Sequence, residues 1–98
     1  MAKQFDSGRF IGKAQRNLKC DVQDFVKAGR LSGVQKDNRD LIVYVMWRSG
    51  HLTDGQIGEL FGLTYSAVSH AVKTLKARMN NNSELMRKFN RLNSQFKL

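Results

Sequence analysis

Six side chains in one short stretch, Thr64, Tyr65, Ser66, Ser69, His70 and Lys73, have the types and spacing for molecular recognition. At about 100° per residue, Ser66, Ser69, His70, Lys73 and Ala77 share one face of a helix, and Val68, Val72, Leu75 and Met79 share the other. Burying the apolar face leaves the polar one to meet a ligand. A helix that reads a DNA duplex enters the major groove and offers short polar groups in its first turns, where they reach base edges. Ser66 and Ser69 can donate or accept at several bases. His70 can donate to a purine N7 or a phosphate, and Lys73, a turn further along, suits a guanine or the backbone. Thr64 stands just before the helix, near its start. Tyr65 has two readings: a wedge or phosphate donor against the duplex, or a ring packed over the turn that precedes the helix.

Around this face, Lys36, Arg39, Arg48, Lys76 and Arg78 are candidates for phosphate contacts, although Arg39 could simply serve a helix surface. Arg30 lies in a glycine-flanked segment and can enter a minor groove narrowed by A·T pairs. Six to ten such contacts would cut affinity about a thousandfold or more between about 50 and 200 mM salt. The balance of 17 Lys+Arg against 8 Asp+Glu, a formal net charge of +9, fits a polyanionic partner, with double-stranded DNA the leading one.

These groups need a scaffold, and the chain over 53–79 supplies one in the pattern of a helix-turn-helix. Thr53 and Asp54 open its first helix. Ile57, Phe61, Leu63 and Val68 are expected to fill the space between the two helices, and Gly58 removes a side chain where they press together. Gly62 can take the left-handed conformation that stops the first helix, and Thr64 or Ser66 can accept from an orphan N–H of the second.

The rest of the chain reads as more helix. Phe10, Ala14 and Leu18 predict a first helix over 7–19, and Val22, Phe25 and Val26 a short second one, capped by Asp21 with Asp24 near its positive end. The stretch 28–36, with two glycines, reads as a loop exposing Arg30 and Lys36. Asp37 or Asn38 is then expected to cap a helix running to about Arg48. Its middle, Leu41 to Trp47, has strand propensity, but no second strand exists to pair with it, and an unpaired buried strand leaves its backbone groups unsatisfied. Such a helix, apolar on nearly every side, would be central, with Tyr44 and Trp47 in the core. Asn80 to Ser83 breaks the chain, and Leu85, Phe89, Leu92 and Phe96 define a closing helix. The fold class expected is all-α: one domain over 1–98 with about six helices, a central buried helix and a helix-turn-helix.

Other chemistry finds little footing. Cys20 is the only cysteine, and His51 and His70 are the only histidines, without partners at ligand spacing, so no disulfide, metal or cofactor is expected. Phosphate-loop and nucleophile-elbow motifs are absent from the sequence and the carboxylates are scattered, so the chain is not read as an enzyme. The apolar runs are too short for a membrane span, and the expected location is the cytoplasm, on the nucleoid.

The stretch from about Asp21 to Phe96 resembles the C-terminal DNA-binding domain of the bacterial replication initiator DnaA. Asp24-Phe-Val-Lys-Ala-Gly-Arg30 is similar to that family's basic loop, Arg39-Asp-Leu-Ile-Val-Tyr44 to the helix after it, and Ile57-Gly-Glu-Leu-Phe-Gly62 to its first motif helix. Tyr65-Ser-Ala-Val-Ser-His-Ala71 falls at the family's signature, with Tyr65 in place of a histidine and Ala67 in place of a threonine. Ser83-Glu-Leu fits the start of the closing helix. The resemblance implies a Trp-repressor-like fold, with Arg30 in the minor groove and Tyr65, Ser66, His70 and Lys73 in or beside the major groove. The Tyr-Ser-Ala-Val-Ser form is closer to the DnaA-like tail of some transposase-like proteins of the REP-associated tyrosine family, which implies a small regulator or a targeting domain. An alternative from another class is a protein-interaction module whose basic surface meets an acidic partner.

Overall fold

The computed structural model describes residues 6–28, 30, 31 and 33–94. The described residues form six helices: α1 (Ser7–Leu18), α2 (Val22–Ala28), α3 (Gly33–Ser49), α4 (Asp54–Phe61), α5 (Tyr65–Met79) and α6 (Ser83–Ser94). No strand occurs among the described residues. Phe96, expected in the last helix, and Gly29 and Ser32 of the expected loop lie outside those residues.

α3 is the axis of the fold. Leu41, Ile42, Val43, Tyr44, Val45 and Met46 are all buried, and six consecutive residues point in every direction around a helix. Their burial therefore requires neighbours on all sides, and α1, α2, α4, α5 and α6 each pack on α3. The ambiguous apolar run is helical because its backbone groups close their own hydrogen bonds while its side chains fill the centre. The outer helices show the complementary pattern, each burying one stripe. Phe10, Ala14 and Leu18 do so from α1, and Leu85, Phe89 and Leu92 from α6. No helix among the described residues is long and apolar enough to cross a membrane.

Four features differ from expectation. α3 begins at Gly33, so Val34, Gln35 and Lys36 are helical rather than looped, and neither Asp37 nor Asn38 is a cap. Leu31, packed against the core, pins the chain just before this helix and lets it start a turn early. Asp37 instead forms an ion pair with Arg78 of α5 at 2.7 Å, and Asn38 is buried. Val26 is 44% exposed, because α2 has two turns and a single inward stripe, Val22 and Phe25, which leaves Val26 at its edge. Trp47 is 42% exposed: at the end of α3 it meets the Tyr44 ring, 6.0 Å away between centroids, instead of the core.

Candidate functional site

The α4–α5 pair is set by short-range interactions that the residues themselves supply. Thr53 caps α4, its hydroxyl accepting from the Gln56 N–H at 3.1 Å while the Gln56 side chain accepts from the Thr53 N–H at 2.9 Å. This reciprocal pair satisfies two of the donors that a helix start leaves open. Gly62 closes α4 at φ 68°, in the left-handed region that glycine enters without a Cβ clash. Thr64 then caps α5 by accepting from the Ala67 N–H at 3.1 Å, so of the two candidate hydroxyls it is Thr64 that caps, and Ser66 is left exposed.

The connection between these helices is tight, and Gly58 is the reason it can be. A Cβ on Gly58 would run into the Leu63 carbonyl oxygen and meet Val68 Cγ2 at 3.6 Å. The Leu63 N–H in turn donates to the Gly58 carbonyl at 2.8 Å. The missing side chain thus makes room first for the connecting backbone and only second for α5. Ile57, Phe61 and Val68 are buried at the crossing, and Leu63 is partly buried against them.

With Val68, Ala71, Val72, Leu75 and Met79 turned inward, the opposite face of α5 is held outward. Tyr65, Ser66, His70 and Lys73 are exposed on it and Ser69 is half-buried. Tyr65, 67% exposed, does not pack over the turn. Among the described residues, the side chains of Tyr65, Ser66, His70 and Lys73 make no hydrogen bond or ion pair within the molecule. The Thr74 hydroxyl donates to the His70 carbonyl, which leaves the imidazole out of that contact.

The cations divide into two groups. Lys76 is exposed on the same side of α5 as Tyr65 and Lys73, Lys36 is exposed on the first turns of α3, and Arg30 is exposed before that helix. Arg39, Arg48 and Arg78 are engaged within the molecule. The Arg39 guanidinium donates twice to Asp40, at 3.0 and 3.1 Å, and its side chain is 18% exposed. Arg78 is paired with Asp37, and Arg48 lies over the Phe89 ring, 5.4 Å from its centroid. Arg78 stands about 18 Å along the helix from Ser66, at about 1.5 Å per residue, so it serves the far end of α5.

The end of α2 belongs beside this site. A Cβ on Gly62 would meet Val26 Cγ1 at 3.6 Å, so the last turn of α2 lies against the α4–α5 connection. That turn carries Lys27, an exposed cation which reasoning from charge and spacing passed over. Its position within the basic stretch leading to Arg30 was the available signal.

No protein-family model matches the chain, and no curated protein matches it in sequence. Among the described residues, no group of three or more histidine, cysteine, aspartate or glutamate side chains is placed to hold a metal ion. Cys20 is half-buried, and burial, helped by Asp21 and Asp24, pushes its thiol above the ordinary range, against the pull of Lys88. This disfavours the thiolate needed for nucleophilic chemistry. The buried carboxyl of Asp40 is also pushed up by burial, and Arg39, Lys36 and Arg78 pull it back down. Neither perturbed group belongs to α5: Cys20 follows α1 and Asp40 lies on α3. That face offers hydroxyls, an imidazole, an ammonium and a phenol, a set suited to hydrogen-bonding and charge recognition.

Proposed function

We propose that this chain binds double-stranded DNA with a sequence preference, using α4 and α5 as a helix-turn-helix of the Trp-repressor-like, DnaA-C-terminal-domain-like kind. In this reading α5 enters the major groove, where Ser66, Ser69, His70 and Lys73 meet base edges and Thr64 and Tyr65 meet the rim. Arg30 occupies the adjacent minor groove, and Lys36, Lys76 and Lys27 hold phosphates. Arg39, Arg48 and Arg78 can add to this only by leaving, or sharing, their present partners. The role is that of a small cytoplasmic, nucleoid-associated regulator or the targeting domain of a transposase-like protein.

The observation that carries the reading is the outer face of α5. Polar and aromatic groups there are exposed and lack intramolecular partners, on a helix whose opposite face is firmly buried. A helix kept only as scaffold has no need of an outward tyrosine, histidine and lysine in one patch. The net charge of +9 supplies long-range attraction to a polyanion.

Fluorescence anisotropy with a duplex selected from a random library, against a scrambled control, tests it. His70→Ala and Lys73→Ala are each expected to cost about 1–3 kcal/mol on the selected duplex and to narrow the gap to the control. Equal losses on both duplexes would reduce the interaction to charge attraction. Recovery of an acidic protein that DNA barely displaces would point instead to a protein-interaction module.

A further inference from the structure

Seven cations stand on two helices that the proposed major-groove contact does not use. On α1, Arg9, Lys13 and Arg16 are spaced by four and three residues, which makes one stripe, and Lys19 follows at its end. On α6, Arg87, Lys88 and Arg91 form a second stripe. The inward stripes of both helices are buried, so these cations are held toward solvent, five of them exposed and Lys13 and Lys88 half-buried. α1 packs on α3 and α6, whereas α4 packs on α2, α3 and α5; α6 touches both sets, packing on α1 and on α5. Lys88 also lies close enough to Cys20, just past α1, for its charge to act on the thiol.

These cations are not ion-paired, and the carboxylates nearest to α1 in the chain are Asp6 just before it and Asp21 just past Lys19. Among the described residues the ion pairs are Arg39 with Asp40 and Arg78 with Asp37, so none of the seven takes part in one. Glu84 is the single carboxylate on either helix, and it shares a shallow depression with Arg87, Lys88 and Arg91. Neither helix carries an exposed large hydrophobic side chain; those described are Val26, Val34, Trp47 and Tyr65. A protein partner is ordinarily anchored by buried aromatic or aliphatic groups. A nucleic-acid backbone, with one negative charge per about 1.7 Å of duplex, is held by cations alone.

We propose that the α1–α6 face grips the phosphate backbone of a second duplex without reading its sequence, so that one copy of the chain bridges two DNA segments. The bridging rests on the reading that α5 holds the first duplex, while the phosphate grip of α1 and α6 does not. The test uses the full chain, a selected duplex fixed to beads and a labelled random-sequence duplex in solution. Wild-type protein is expected to capture the second duplex. In Arg9→Gln/Arg16→Gln/Arg87→Gln/Arg91→Gln, with helical content checked by circular dichroism, capture falls about tenfold or more while affinity for a single selected duplex changes less than about threefold. His70→Ala/Lys73→Ala loses the preference for the selected duplex and binds both duplexes alike through the α1–α6 face.

Wild-type protein that binds one duplex but captures no second overturns the bridge, as does a quadruple variant that captures as well as wild type, the result a bridging dimer would give. Equal binding of selected and random duplexes by wild-type protein, unchanged in His70→Ala/Lys73→Ala and lost only in the quadruple variant, refutes the α5 reading and leaves the phosphate grip standing. Poly-glutamate held by His70→Ala/Lys73→Ala as tightly as the random duplex would assign the face to an acidic protein and overturn the proposal.

Discussion

Among the described residues, α3 and α5 are the two longest helices, of 17 and 15 residues, and they pack against each other, yet they are built for opposite ends. α3 buries six residues in a row and has its central turns enclosed by the other helices. α5 buries a stripe of Val68, Ala71, Val72, Leu75 and Met79 and turns Tyr65, Ser66, His70 and Lys73 outward. The difference teaches where stability and recognition reside. A surrounded helix fixes the position of its neighbours and has little surface to offer; a half-buried one is positioned by its inner face and can present its outer face to a partner.

The sharpest way to break the contrast is at the centre of α3. Leu41→Ala empties a fully buried site and is expected to cost about 2–5 kcal/mol of stability, read as a lower urea midpoint, with DNA affinity preserved in whatever fraction stays folded. A loss no larger than that of a surface substitution would show that α3 is not the support of the fold. Next in size is Gly58→Ala, which drives a methyl into the Leu63 carbonyl and should cost about 1–3 kcal/mol while also weakening DNA binding, since the α4–α5 connection must shift. Gly55→Ala is its control. There the nearest group to a new Cβ is Thr53 Oγ1 at 3.9 Å, and relief of glycine's backbone entropy favours about 0.5–1 kcal/mol of gain.

On α5 the expectation reverses. Lys73→Ala should leave the urea midpoint within about 0.5 kcal/mol of wild type, because the side chain is exposed and unpaired, while its cost appears in the binding titration. Arg87→Ala should move neither selected-duplex affinity nor stability appreciably. A Lys73 variant that destabilises the fold would erase the division of labour between the helices.

The smallest effect expected is a dependence on pH at Asp40, which is 2% exposed on α3. Its folded-state pKa is raised above the ordinary 3.8, so the folded protein holds this proton more tightly than the unfolded chain does. The stability that protonation contributes is complete below 3.8 and is lost as pH rises through the raised value. Asp40→Asn escapes that loss, so its stability relative to wild type should improve with pH across this window in urea titrations. A constant difference would mean that burial of the carboxylate is fully offset by Arg39.

Much of the architecture was legible because it is local. The stripes Phe10-Ala14-Leu18 and Val68-Val72-Leu75-Met79 follow from the helical period, and the caps Thr53, Thr64 and Gly62 act within a few residues of where they stand. Lys76 on the outer side of α5 and Arg78 off it also follow from the wheel. The partner that holds Arg78 does not: Asp37 lies far away in the chain, and its early helical placement depends on Leu31 reaching the core. The exposure of Val26 and Trp47 is hidden from the sequence for the same reason, since hydrophobic type does not reveal whether a neighbour arrives to cover it.

Taken by itself, the order of residues determined the stripes that α1, α5 and α6 bury, the stop at Gly62 and the polar composition of the outer face of α5, because each depends on interactions spanning about one helical turn. Only the assembled fold decided where α3 begins, which cations are already held by carboxylates, that Tyr65 stands clear of the turn, and that the end of α2 lies beside the α4–α5 connection. Those outcomes depend on which distant side chains meet, and the local period of a chain carries no information about that.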